Sequence, residues 1–270
     1  MFNMHNHTTH SHDGRNTVFE MCEAAVEKKL KGIAFTDHAD LAMYEERDIY
    51  KQISDCKNEV LAAREIYGDK IKIFFGAEMG EEIFAMHNGV SLRKLGGFDV
   101  IVESCHALPS LGKNADPAHI DMTDWTESKI RSVMSEYFDI LLTTARETDY
   151  DILAHLTYPI RYVNGFYKKG YDLSFHDAAI FEVLKTVARR GRALEINTSV
   201  YKKCGFLLPD DKYISKFKEF GGKYVTIGSD AHCVQNVDNG LADGIKALKD
   251  CGFGEYYYYE NREPIIAEKF

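Results

Sequence analysis

The chain has 270 residues, 45% of them hydrophobic and 28% charged, with a formal net charge of −9. That composition fits a globular chain of one large or two small domains, and the acidic balance argues against a nucleic-acid binder, which usually carries a basic patch. There is no run of 18 or more apolar residues, and the start MFNMHNHTTHSHDG lacks the basic-then-apolar order of a signal peptide, so neither a membrane span nor export is expected and the cytoplasm is the simplest compartment.

Short apolar runs alternate with longer amphipathic ones along the chain. Phe2–Met4 reads as a first strand. Thr17–Leu30 follows as a helix, with Thr17 and Glu20 spaced as a capping box. Then come strand Ile33–Thr36, helix Glu45–Tyr67, strands Ile71–Phe75 and Phe98–Val102, helix Glu127–Glu147 and strand Ile152–Ala154. Helix His176–Arg190, strand Ala193–Ile196, helix Asp211–Phe220, strand Tyr224–Ile227 and helix Gly240–Lys249 complete the series, with Tyr256–Tyr259 as a late edge strand. Gly191, Gly221 and Gly252 sit where helices should end. Strand–helix alternation implies parallel strands covered by helices. About seven such units fit a closed β/α barrel better than an open doubly wound sheet, which remains the alternative. No GxGxxG or GxxxxGK[ST] loop follows any strand, so the usual nucleotide cradles are absent.

Polar residues recur directly after these strands: His5 and His7, Asp37 and His38, Glu78, His106, His155, then Asp230 and His232. In a β/α barrel all strand C-termini open on one face, so residues spread over some 230 positions would meet in one pocket. Side chains alternate along a strand, so His5 and His7 point the same way and can share a cation, with Asn6 turned aside. Imidazoles mixed with carboxylates suit Zn, Fe or Mn. Glu78 can bridge two cations, and such a pair both clamps a phosphoryl group and supplies hydroxide as nucleophile near neutral pH. The competing reading, a set of buried histidines satisfied by hydrogen bonds, leaves many titratable groups crowded together without compensation, which is costly. His87, His119 and His176 fall away from strand ends and read as surface or structural, while His10 is near the cluster without an assigned role. The six cysteines form no CxxC pair and read as reduced thiols, Cys105 and Cys233 being small residues beside the site. Arg161, six residues after His155, is the expected phosphate contact, because its planar fork makes two bonds at once. Arg192 precedes a strand, at the opposite end of the barrel, and reads as structural; Arg15 reads as surface.

HxH near the N-terminus, TDH, a Glu after the third strand, two later single histidines and a terminal GSDAH together resemble the polymerase-and-histidinol-phosphatase (PHP) family. The resemblance runs from His5 to His232 and implies one PHP-type domain over 1–270: a distorted (β/α)7 barrel with three divalent metal ions at the C-terminal ends of its strands. It implies His5, His7, Glu78 and Asp230 as ligands of one ion and Glu78, His106 and His155 of a second. His12, His38 and His232 are implied for the third, with Asp13 as the alternative to His12. The stand-alone length and the segment ALEINTS look like the monofunctional L-histidinol-phosphate phosphatases. That implies a phosphomonoesterase of histidine biosynthesis, releasing L-histidinol and phosphate, with Asp230 or His232 handling a proton. The expected partner is a small phosphate ester, with no nucleic acid and no membrane. The alternatives are a PHP-type phosphoesterase or nuclease acting on nucleotides or another small phosphate ester, and a non-catalytic scaffold.

Overall fold

The Ile-, Val- and Phe-rich runs form parallel strands. In the computed structural model, which describes residues 1–270, these are β1 (Phe2–Asn3), β2 (Gly32–Phe35), β3 (His38–Asp40), β4 (Lys72–Gly80), β5 (Val100–Ser104), β6 (Ile152–Leu153), β7 (Ala193–Asn197) and β8 (Val225–Gly228). Seven of them line up in the order β1-β2-β4-β5-β6-β7-β8, every neighbouring pair parallel, and β3 adds a second pairing to the long β4. Backbone hydrogen bonds from Met4 to Ile227 (2.9 Å), Asp230 to His5 (2.9 Å) and His7 to Ala231 (2.8 Å) join the two ends of the row into a barrel. The open doubly wound alternative is thereby set aside. Strands β2, β5, β7 and β8 are buried on both faces, which is why they read as continuous apolar runs rather than alternating ones.

The covering helices are α1 (Val18–Glu27), α2 (Ile49–Tyr67), α3 (Met86–Arg93), α4 (Glu127–Glu147), α5 (Asp177–Arg189), α6 (Tyr201–Cys204), α7 (Asp211–Glu219) and α8 (Leu241–Asp250). Thr17 and Glu20 cap α1 reciprocally. Gly191, Gly221 and Gly252 follow α5, α7 and α8 at φ of 65°, 86° and 78°, the left-handed conformation that ends helices. Helix α2 starts four residues later than its polar sequence suggests. Leu41–Met43 takes a short 3-10 turn and Asp48 a left-handed conformation at φ 49° before the helix begins.

The aromatic run near the C-terminus is not an edge strand of the barrel. It forms β9 (Glu255–Glu260), paired antiparallel with β10 (Glu263–Lys269), and this hairpin covers the end of the barrel remote from the ligands. Tyr258 stacks on Phe2 at 4.2 Å between ring centroids, and Tyr256 Oη accepts a hydrogen bond from the Phe2 N–H. Arg262, in the hairpin turn, binds Asp149 (3.0 Å) and Asp151 (2.9 Å), and Arg192 joins Asp149 (3.2 Å), so Arg192 is structural as expected. One core cluster of 72 buried residues runs from Phe2 to Tyr259. No helix is long and apolar enough to cross a membrane.

Candidate metal centre

The chain leaves β1 still extended, so His5 and His7 project to one side and both are fully buried. Asn6 points the other way and donates to the Ala34 carbonyl (3.0 Å). Asp37 also turns aside. It accepts from the Thr8 N–H and from Ser11 Oγ, each at 2.6 Å, and so pins the loop after His7 rather than entering the cluster. His38 lies on β3 in direct register with Glu78 on β4. His106 follows β5 and His155 follows β6, while Asp230 and His232 follow β8. His155 and Asp230 hold positive φ, 21° and 51°; such conformations cost about 1–3 kcal/mol and persist where surrounding contacts enforce them.

Glu78 stands at the middle. Its Oε1 lies 2.9 Å from His155 Nε2 and 3.3 Å from His106 Nε2. Its Oε2 lies 2.8 Å from His38 Nδ1, 3.5 Å from His5 Nε2 and 3.6 Å from His7 Nε2. Asp230 Oδ1 approaches His7 Nε2 at 3.3 Å and His5 Nε2 at 3.8 Å. Ligand atoms fall within 4.8 Å of one another in the groups His5–His7–Asp230, Glu78–His106–His155 and His7–His38–His232; a fourth group, His38–Asp40–His106, shares rings with these.

The hydrogen bonds on the outer nitrogens decide what the inner ones offer. His5 Nδ1 meets Glu195 Oε1 at 2.7 Å and must carry the proton. His7 Nδ1 meets Ser11 Oγ at 3.2 Å, and Ser11 spends its own proton on Asp37, so His7 Nδ1 donates as well. Two Nε2 lone pairs therefore face each other across 3.1 Å. His232 repeats the pattern: Nδ1 donates to the Asp230 carbonyl (3.0 Å), leaving an Nε2 lone pair 3.1 Å from Asp13 Oδ2. Lone pair against lone pair in a buried site is repulsive unless a cation or proton lies between them. His38 Nδ1, Glu78 Oε2 and His155 Nδ1 are buried without an aligned hydrogen bond, although Glu78 Oε2 and His38 Nδ1 are only 2.8 Å apart. The donor set thus fits divalent cations, nitrogen and carboxylate ligands with unsatisfied inner atoms.

Protonation preferences carry the same message. Burial opposes charge on Glu78, yet His106, His5 and His38 hold its carboxyl well below the usual range. Burial likewise opposes protonation of His38 and His106, but Glu78 lifts them to about 9 and about 10. Burial and the neighbouring His232 and His38 push His7 down to about 3. The site demands positive charge around Glu78, and protons and cations compete for those lone pairs.

His12 and Asp13 both border the remaining rings: Asp13 is 44% exposed at its side chain, and the His12 ring lies 5.3 Å between centroids from that of His38. His12 is 42% exposed at its side chain, and its Nδ1 lies 3.2 Å from Arg47 Nη1 and 3.9 Å from Asp40. The neighbouring Asp13 is the residue that faces both remaining rings, at 3.1 Å from His232 Nε2 and 3.7 Å from His38 Nε2. Arg161, in a wide helical turn over Arg161–Phe166, sits where a phosphate contact is expected, with Nη2 2.6 Å from Asp230 Oδ2 and 2.8 Å from Ser199 Oγ. Its Nε is buried without a partner. His10 pairs with Glu59 (2.6 Å), and buried His176 bonds Tyr171 (2.7 Å), both apart from the cluster.

Comparison with known proteins matches residues 3–199 to the family model described as PHP domain. The chain belongs to the PHP family. It is similar to the probable histidinol-phosphatase of Clostridium acetobutylicum, 29% identical over 100% of this chain and 97% of that one. The corresponding probable histidinol-phosphatase of Thermotoga maritima is 27% identical over 99% of each. The fold is that of the histidinol phosphate phosphatase of Lactococcus lactis, solved with Zn, L-histidinol and phosphate, which superposes with a TM-score of 0.78 over 98% of each chain at 22% identity.

In this PHP domain β7, the one barrel strand whose sequence run is followed by no candidate ligand, holds Glu195 within it. It is 1% exposed and binds His5. Its signal was present: an acid between Leu194 and Ile196 in an otherwise apolar strand must point away from the apolar layer. The cluster opens into a cavity of about 480 Å3. Asp40, Glu81, Asp116, Tyr158 and Tyr162 line it beside Arg161, and His119 stands exposed at its edge. Tyr158 donates to Asp116 (2.8 Å) and packs its ring edge-on against His106.

Proposed function

We propose that this PHP domain is a metal-dependent phosphomonoesterase that hydrolyses L-histidinol phosphate to L-histidinol and phosphate. The observation that carries the reading is Glu78, a buried carboxylate with one oxygen against His106 and His155 and the other against His5, His7 and His38. On this reading His5, His7, Glu78 and Asp230 hold one divalent cation, and Glu78, His106 and His155 a second. Asp13, His38 and His232 hold the third, Asp13 replacing His12. When bound, the cations supply hydroxide near neutral pH and neutralise charge on the phosphate. The names of the full-length relatives support histidinol phosphate as the substrate.

The protein's own groups do the rest. Arg161 reaches the phosphate with its buried guanidinium, oriented by Asp230 and Ser199. Asp230 and His232 both border the paired site and are the two candidates for handling a proton; Asp230 Oδ2 is engaged by Arg161 and Asn197, and His232 Nδ1 by the Asp230 carbonyl. The 480 Å3 cavity admits a small ester, and its carboxylates Asp40, Glu81 and Asp116 suit a leaving group that carries an amine and an imidazole. Hydrolysis should be measured on L-histidinol phosphate, on nucleoside monophosphates and on single-stranded DNA. Selective turnover of histidinol phosphate is expected; preference for nucleotides or DNA would reject the substrate assignment.

The third cation can be tested within one loop. Asp13→Ala should lower activity on the order of 10²-fold, the scale of losing one stabiliser of transition-state charge. His12→Ala should change it only a few-fold, because His12 Nδ1 is turned to Arg47 and Asp40 and only its ring, 5.3 Å between centroids, approaches His38. The reverse ranking in kcat would restore His12 as the ligand.

A further inference from the structure

Glu195 touches both halves of the paired site. Its Oε1 is 2.7 Å from His5 Nδ1, while Oε2 accepts from the His155 backbone N–H at 2.7 Å and from Asn197 Nδ2 at 3.1 Å. The two histidines sit in different candidate groups, His5 with His7 and Asp230, His155 with Glu78 and His106. No other contact does this for either. Outside the cluster's side chains, the His5 backbone is held by the Asp230 N–H on its carbonyl (2.9 Å) and by Asn3 Oδ1, a long 3.4 Å from its N–H, and neither of these touches the ring. The His155 ring has no partner at Nδ1, so apart from Glu78 at Nε2 and the packed rings of His106 and Tyr158 its aim is set by its backbone. That backbone holds φ 21° and, beyond Glu195, has a contact of 3.5 Å from Tyr137 Oη to its carbonyl.

The fold makes room for this carboxylate. A side chain at Gly228, on the adjacent strand β8, would run into Glu195 Oε1 and the Cβ of His5. Glycine at that position lets His5, Glu195 and the strand turn toward Asp230 lie side by side. Glu195 and Asn197 share one face of β7, and Asn197 Nδ2 also reaches Asp230 Oδ2 at 3.3 Å.

We propose that Glu195 is a positioning residue that serves both cations of the pair: it fixes His5 as the Nδ1–H tautomer, with Nε2 free to ligate, and holds the backbone that aims His155. The inference rests on the metal-centre reading above. A carboxylate behind a ligating histidine sets its tautomer and orientation, and losing it typically costs about 10–100-fold in metal affinity. The double attachment adds a specific consequence. In Glu195→Gln one end of the amide is a donor, so it can satisfy His5 and the His155 N–H together only if His5 gives up its Nδ1–H tautomer. If the amide NH2 faces His5, Nδ1 must accept and Nε2 carries the proton that blocks ligation.

The test is metal binding by the full chain after chelation, with Mn2+ titrated into wild type, Glu195→Gln and Glu195→Asp, alongside the melting temperature of each metal-free form. Expected are a melting temperature near wild type for Glu195→Gln and weaker Mn2+ binding at the paired sites by about 10–100-fold. Glu195→Asp keeps the charge but is too short to span both partners, and should fall between. Wild-type Mn2+ affinity and stoichiometry in Glu195→Gln would overturn the proposal while leaving the metal centre intact; a wild-type chain that takes up no Mn2+ would instead reject the metal centre. Should Glu195→Gln not fold, the 15N-histidine spectrum of the Zn-loaded wild type reads the same claim. His5 protonated at Nδ1 and metallated at Nε2 supports it, and the opposite tautomer overturns it.

Discussion

Replacing Glu78 with alanine should reduce phosphatase activity by on the order of 10³-fold or more, since it removes a ligand from both paired cations and with them the charge that stabilises the transition state. The fold should persist. Glu78 lies within β4, whose backbone ladders to β2 and β5 do not involve its side chain. What changes is the balance of charge. Without cations, Glu78 raises the His38 and His106 imidazoles to about 9 and about 10 against the opposing effect of burial. Without the carboxylate those imidazoles should titrate lower, so the variant compensates by shedding protons rather than by unfolding. Glu78→Gln is the sharper control: it keeps the shape but replaces one carboxylate oxygen by a donor that no cation accepts. Both variants should retain the far-UV circular dichroism of the wild type and show about two fewer bound cations per chain by elemental analysis. Two cations still bound in Glu78→Ala would remove Glu78 from the bridging role.

The candidate ligands could be found from sequence because strands impose a simple geometry. Period-two alternation puts His5 and His7 on one side and Asn6 on the other. Parallel register brings His38 beside Glu78 although 40 positions separate them along the chain. The choice between His12 and Asp13 obeys no such rule. The two are adjacent in a loop whose path is set by Asp37, in the link between β2 and β3, holding Thr8 and Ser11. That tie exists only in three dimensions. The start of α2 differs from its sequence pattern for a related reason: Glu45, Glu46 and Arg47 have good helix propensity, but Ala42–Arg47 turns along the cavity, where Arg47 meets Asp40. β10 lacks a strand signal of its own, being mostly half-exposed and carrying Pro264. It forms because Tyr256–Tyr259 offers it a ladder.

Glu195 shows a different kind of omission. In the sequence the other candidates follow the strand-like runs, whereas Glu195 lies inside one. An ionisable side chain in the middle of a doubly buried strand is costly unless it has partners, and here the partners are a candidate ligand and the backbone of another. The same test identifies Glu103 on β5 as a buried acid outside the centre. Burial pushes its carboxyl well up, and neither oxygen has a hydrogen-bond partner.

On the proposed function, cations that the reaction requires reconcile the crowded ligand atoms of His5, His7, Glu78, His106, His155, Asp230 and His232. The most direct measurement strips the purified chain with a chelator, counts residual metal by elemental analysis, and assays histidinol phosphate hydrolysis before and after adding back Mn2+, Zn2+ or Fe2+. Activity should vanish with the metal and return as the chain reloads toward three cations. Undiminished turnover in a demonstrably metal-free chain would contradict the account.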